Sequence, residues 1–81
     1  MEIKMTTGCL YESLTIDGTE EINLSEEKRK EALEKVLTVI KPEDLNELLY
    51  WLVPKYAQDY ECSETACDCC GDYVDTYTLT I

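Results

Sequence analysis

The chain has 81 residues, 44% of them hydrophobic, and its 18 acidic and 7 basic side chains give a formal net charge of -11. This length and composition predict one folded domain over residues 1–81, and the charge argues against direct binding to nucleic acid or anionic lipid, which need basic side chains. No apolar run reaches the roughly 20 residues of a membrane span, and the N-terminus lacks a signal-peptide pattern. We therefore expect a cytoplasmic protein whose thiols are reduced.

The first part of the chain predicts two half-buried strands. Ile3 and Met5 alternate with polar neighbours, and Leu14 and Ile16 do the same within residues 10–16. Asp17-Gly18 is typical of a tight hairpin turn. Residues 19–23 either add a short extended segment or lead directly into a helix.

The middle of the chain predicts two helices. Ser25 can cap the first, whose apolar stripe comprises Ala32, Leu33, Val36, Leu37 and Ile40. Pro42 ends this helix and begins a second one, which Pro54 should break or kink, although a last turn could reach Tyr60. The predicted buried stripe of the second helix contains Leu45, Leu48, Leu49, Leu52 and Tyr56, with Tyr50, Trp51 and Val53 at its border.

The last part of the chain predicts a cysteine-rich loop at 61–72 and a strand at 73–81. Tyr73, Tyr77, Leu79 and Ile81 share one face of that strand, which is rich in aromatic and β-branched residues. The expected fold is α+β, with a three-stranded antiparallel sheet in the order 2-1-3 and both helices on one face.

The five cysteines predict a structural zinc site. Cys67 and Cys70 form a Cys-x-x-Cys pair followed by Gly71, a spacing that can chelate zinc from a tight turn. If the first and last strands pair antiparallel, Cys9 lies beside this turn, and Cys62 can complete four thiolate ligands. We therefore predict Cys9, Cys62, Cys67 and Cys70 as the ligands, with Cys69 left over because adjacent side chains point apart. The alternatives are thiols without a metal and adventitious disulfides.

The sequence contains no recognisable pattern of catalytic residues, and we predict that the protein is not an enzyme. The absence of His excludes Ser-His-Asp and Cys-His nucleophiles, and there is no glycine-rich phosphate loop. The enzyme-class alternative is a thiol redox protein that uses Cys67 and Cys70. The surrounding carboxylates disfavour a reactive thiolate there.

Two features predict contact with another protein. Tyr50 and Trp51 lie in a run that is apolar around more than one helix face, which indicates either a partner or burial on both sides. The second feature is an acidic surface, which either only aids solubility or suits a basic groove on a partner. Its predicted contact residues are Asp59, Glu61, Glu64, Asp68, Asp72 and Asp75. The size of the chain and its Trp-bearing helix are also compatible with a homodimer.

Short motifs at both ends carry a resemblance. Thr6-Thr7-Gly8-Cys9, Cys67-x-x-Cys70-Gly71-Asp72 and the closing segment 77–81 resemble small uncharacterised proteins of bacteriophages and prophages. The resemblance implies a phage accessory protein in the bacterial host cytoplasm and no catalytic residues. The leading prediction is a non-enzymatic, acidic protein that binds and occludes a host protein. The alternative is a structural zinc module in a larger assembly, with residues 42–53 as its docking surface.

Overall fold

A computed structural model describes residues 1–8 and 11–81 and shows an α+β fold built on one antiparallel sheet. Its strands are β1 (Glu2–Gly8), β2 (Tyr11–Ile16), β3 (Thr19–Glu20), β4 (Asp59–Cys62) and β5 (Asp75–Thr80), and its α-helices are α1 (Glu26–Leu37) and α2 (Leu49–Tyr56). Short 3₁₀ turns cover Glu21–Asn23 and Pro42–Asp44. In the described part of the chain, no helix is long and apolar enough to cross a bilayer.

The sheet has the order β3-β2-β1-β5-β4, so the predicted count of three strands is wrong. The predicted order survives as its centre, because β1 pairs antiparallel with both β2 and β5. The two extra strands lie at the edges. All four residues of β4 are exposed, so the segment has no buried face to identify it as a half-buried strand.

One face of the sheet forms the core with both helices. Ile3 and Met5 of β1 pair across the sheet with Ile16 and Leu14 of β2, and Ile3 also pairs with Leu79 of β5. The core cluster adds two residues from each α-helix and one from the turn that follows α1: Ala32, Val36, Leu52, Val53 and Ile40. The prediction that the helices pack on one face of the sheet therefore agrees with the core.

Local signals explain α1 and the hairpin before it. The Ser25 hydroxyl accepts a hydrogen bond from the Lys28 amide at 3.2 Å, which caps the helix. The Lys28 ammonium lies 2.7 Å from the Asp17 carboxylate in the hairpin turn and lowers the pKa of that carboxyl. Asp17 also accepts a 2.9 Å hydrogen bond from the Glu2 amide. The turn, β1 and α1 are thus joined through one side chain.

The second helix differs from its prediction at both ends. Pro42 begins only a 3₁₀ turn, α2 starts at Leu49, and Pro54 lies inside a helix that runs on to Tyr56. The fully buried side chain of Val53, predicted at the border of the stripe, anchors the helix next to the proline. The chain then enters β4, so no helical turn reaches Tyr60.

Several leucines predicted in buried stripes are exposed instead. Leu45 and Leu48 precede α2 and are 52% and 67% exposed. Leu33 and Leu37 of α1 are 52% and 50% exposed, although they follow the spacing of Ala32 and Val36. The core of this small domain is narrow, so each helix buries only part of its apolar stripe.

Candidate metal centre and partner-binding surfaces

The loop between β4 and β5 is a hairpin extension held by backbone hydrogen bonds. The Ser63 amide donates to the Val74 carbonyl at 2.9 Å, and the Ser63 hydroxyl accepts from the Val74 amide at 3.0 Å. Further out, the Cys67 amide donates to the Asp72 carbonyl at 2.8 Å. These bonds bring the two arms of the loop together and leave residues 67–71 as its tip.

The tip gathers three thiols. The Gly71 amide donates to the Cys67 carbonyl at 2.8 Å, and Gly71 has a φ of 74°, a left-handed conformation that reverses the chain. The Sγ atoms of Cys67, Cys69 and Cys70 all lie within 4.8 Å of one another, close enough to bind one metal ion. The Cys67 and Cys69 sulfurs are 2.9 Å apart, and the Cys69 amide donates to the Cys67 sulfur at 3.4 Å.

The position of Cys69 contradicts one argument for the predicted ligand set. Cys69 was expected to point away, but the short turn curls the chain so tightly that its sulfur joins those of Cys67 and Cys70. Cys62 is exposed at the end of β4 and is not a member of the group. Cys9 lies outside the described residues. The four-cysteine set of Cys9, Cys62, Cys67 and Cys70 remains a prediction.

The base of the loop is in close contact with the end of β1. A Cβ atom placed on Gly8 would lie 2.3 Å from the Tyr73 carbonyl oxygen and 3.0 Å from the Val74 Cα atom. Gly8 also has a φ of 141°, which residues with a Cβ atom rarely adopt. Only glycine fits this position, so the contact between β1 and the base of the loop depends on it.

Every charged side chain in the sequence around the tip is acidic. After Lys55 the chain contains no Lys or Arg, and its carboxylates there are Asp59, Glu61, Glu64, Asp68, Asp72 and Asp75. Mutual repulsion disfavours folding such a segment onto itself. A bound divalent cation would offset part of this charge and would favour the closed form of the loop.

The acidic residues predicted to bind a partner occupy two settings. Asp59 and Glu61 lie on the edge strand β4, and Glu64, Asp68 and Asp72 are exposed in the loop. Asp75 is only half-buried in β5 and accepts a 2.6 Å hydrogen bond from the Tyr60 hydroxyl. This carboxylate raises the pKa of Tyr60. Asp75 therefore has a partner within the sheet, and the other five face solvent.

The aromatic residues predicted to bind a partner lie on α2. The Trp51 side chain is 69% exposed, which removes the alternative of a helix buried on both sides. Tyr50 is 36% exposed, and its hydroxyl donates to the Glu21 carboxylate at 3.3 Å. Burial, followed by the nearby Glu21 charge, raises the pKa of Tyr50.

One ionisable cluster was missed at the sequence level. Asp44 is 5% exposed and accepts hydrogen bonds from Lys55, at 2.7 Å, and from the Tyr56 hydroxyl. The Lys55 bond, supported by Tyr56, lowers the pKa of Asp44. The Tyr56 hydroxyl also accepts from the Lys41 amide at 2.9 Å, so the cluster fixes the turn before α2 to its end. Because the bonding groups of Asp44 are satisfied by the fold, its role is structural.

Comparison with protein-family models, with curated proteins and with solved structures finds no match for this chain.

Proposed function

We propose that this protein is a non-enzymatic, acidic binding protein that docks on a basic surface of a protein partner. The observation that carries the proposal is the exposed set Asp59, Glu61, Glu64, Asp68 and Asp72, which projects from an edge strand and a loop without any basic residue beside it in sequence. Such a field accelerates encounter with a positively charged surface and repels nucleic acid. The resemblance to phage proteins favours a bacterial host protein as the partner.

The proposal is tested by capture from a bacterial host lysate with two variants of equal charge. In the first, Asp59→Asn, Glu61→Gln and Glu64→Gln neutralise part of the acidic strand and loop. In the second, the exposed carboxylates of Glu27, Glu34 and Glu43 are converted to amides. Capture of a specific basic protein by wild type and by the second variant, but not by the first, supports the proposal. Equal loss in both variants would reduce the interaction to net charge, and no specific capture at low or moderate salt would contradict it.

We further propose that zinc is the metal held by the cysteine loop and that its role is structural. The support is the grouping of three sulfurs at the tip, since thiolates are preferred zinc ligands and a complete shell of four leaves no catalytic position. The fourth ligand is proposed to be Cys9, which follows Gly8 in the chain, or Cys62 at the end of β4.

Elemental analysis of protein purified without added metal tests the zinc proposal. We expect one zinc per chain, loss of the metal in Cys67→Ser, and loss in whichever of Cys9→Ser and Cys62→Ser removes the fourth ligand. A melt with and without chelator should show lower stability of the metal-free protein. A chain purified without metal and indifferent to chelator would leave the cysteines as thiols. The thiol redox alternative would then be tested next.

A further inference from the structure

A line of exposed apolar side chains crosses the helical side of the molecule. Three depressions, of about 150, 300 and 250 Å³, follow one another along it. The first two share Glu21 and Tyr50, and the second and third share Glu47. The apolar side chains along this groove are Ile22, Leu33, Leu48 and Trp51, with exposed fractions of 77%, 52%, 67% and 69%. We call these four residues and Tyr50 the apolar groove.

The fold does not bury the four apolar side chains of the groove. Leu48 occupies the N-cap of α2, a position that favours Ser, Thr, Asp or Asn, and it makes no capping hydrogen bond. Leu33 faces away from the core cluster that contains Ala32 and Val36. The exposure of two large apolar side chains, Trp51 and Leu48, does not stabilise the isolated chain. Exposed apolar residues of this kind are concentrated at functional sites.

The rim of the groove is acidic. Glu12, Glu20, Glu21 and Glu47 line the depressions, and among the described residues no Lys or Arg forms a salt bridge with any of them. Lys55, at the Trp51 end, is paired with Asp44. Arg29 donates to the Glu21 carbonyl oxygen rather than to a carboxylate. A second copy of this chain would bring like charges together across the groove, which is unfavourable.

The geometry points to a basic amphipathic helix of a protein partner as the occupant, and we propose that the apolar groove binds one. Its apolar stripe would cover Leu33, Leu48 and Trp51, while its Lys or Arg residues would face the glutamates of the rim. A helix satisfies its own backbone hydrogen bonds, so it can bind this groove through its side chains alone. The side chains offered here are bulky and apolar, which is the kind of surface that takes the apolar face of a helix.

This inference extends the proposed function by adding a second contact surface, which is separate in sequence from the acidic strand and loop. The probe is a designed 18-residue helix with a Leu stripe and Lys elsewhere. A helix with Glu in place of Lys and a scrambled Leu/Lys peptide of identical composition serve as controls. Trp51 is the single tryptophan of the chain, so its fluorescence reports binding directly. We expect a blue shift and saturable binding with the Leu/Lys helix alone.

Matched variants locate the binding. Leu48→Glu and Leu33→Glu place a charge in the groove, and Val39→Glu places the same charge on an exposed apolar residue outside it. Each change adds a negative charge, so non-specific attraction of the Lys peptide increases equally in all three. We expect Kd to rise about tenfold or more for the two groove variants and to stay unchanged for Val39→Glu.

The outcomes separate this inference from the proposed function. Unchanged binding in the Asp59→Asn, Glu61→Gln and Glu64→Gln variant supports a distinct groove, even if that variant fails to capture a host protein. Equal binding of the Glu helix, or of the scrambled peptide, would overturn the inference. So would a wild-type dimer in sedimentation that Leu48→Glu dissociates, because the groove would then bind a second copy of the chain.

Discussion

The core of the sheet and the cysteine loop keep their shapes by different physical means. In the core, Ile3, Val53 and Leu79 are at most 1% exposed and come from three separate elements. In the loop, none of residues 63–74 is buried, and a few hydrogen bonds of the backbone and of the Ser63 hydroxyl hold its two arms together. Burial thus specifies the scaffold of this domain, whereas local hydrogen bonds hold its loop.

The largest effect is expected from truncating a core leucine. Leu79→Ala removes a side chain that is 1% exposed and should lower the free energy of unfolding by about 2–5 kcal/mol, through lost burial and a residual cavity. Leu45→Ala is the matched control, because Leu45 is 52% exposed, and it should change stability by less than about 0.5 kcal/mol. Urea unfolding measures both. Similar losses for the two leucines would contradict the assignment of the core.

Substitutions at Gly8 and Gly71 test the contact between the core sheet and the cysteine loop. Gly8→Ala should destabilise the protein by about 3 kcal/mol, because it combines an unfavourable φ with overpacking against the Tyr73 carbonyl. Gly71→Ala meets nothing within 4 Å and should cost only about 1 kcal/mol, the penalty of a left-handed residue. Thermal melts compare the two variants. A smaller loss at Gly8 than at Gly71 would mean that β1 does not contact the base of the loop as described.

Removal of the proposed metal should open the loop and leave the core folded. Because the loop lacks Lys and Arg, a Glu-specific protease that cuts after Glu64 is the suitable probe. At zinc tenfold above its Kd, cleavage should be about tenfold slower than in chelator, since only the open form is cut. Far-UV circular dichroism should change little. Cys67→Ser should be cleaved rapidly in both conditions, and loss of the whole circular dichroism spectrum on chelation would show that core and loop are not separable.

A pH-dependent effect distinguishes the buried carboxylate from the exposed ones. The pKa of Asp44 is lowered from 3.8 in the folded protein, so the unfolded chain takes up the proton first. Its contribution to stability is therefore complete above pH 3.8 and is lost as pH falls through the lower folded pKa. Asp44→Asn should lower the melting temperature at neutral pH, and the difference from wild type should shrink as the pH falls through the lowered pKa of Asp44.

Glu43→Gln is the control for this experiment, because Glu43 is an exposed neighbour on the same turn. At neutral pH its melting temperature should fall much less than that of Asp44→Asn, because its side chain is exposed. A difference between Asp44→Asn and wild type that stays constant down to the acid limit would show that the Asp44 carboxylate is not stabilised by Lys55 and Tyr56.

Comparison of the predicted and observed elements shows where periodicity is informative. The alternation in β1 and β2 and the Ser25 cap were sufficient to predict the centre of the sheet and α1. The strand β4 was missed because Asp59–Cys62 has no buried face. The exposed leucines were misassigned because the spacing of Leu33, Leu37 and Leu48 fits a buried stripe, and a sequence does not state how wide the core is.

The candidate site, like the fold, was predicted only in part from the sequence. The sequence identified the Cys67–Cys70 turn and the acidic segment after Lys55, since both are local features of residue type and spacing. It did not reveal that the Cys69 sulfur joins the group, which depends on how tightly the turn curls. Nor did it reveal the bonds of Asp44 to Lys55 and Tyr56, because these residues meet only when α2 folds back over the preceding turn.

By itself, the sequence determined the charge of this protein, its principal strands and α1, and the presence of a cysteine turn. Each of these follows from residue type and short-range periodicity. Only the tertiary structure decided which apolar side chains are buried, which strands form the edges, and that Leu33, Leu48 and Trp51 line one acidic-rimmed groove. These properties depend on contacts between residues far apart in the chain, and burial is a property of the assembled surface rather than of any segment.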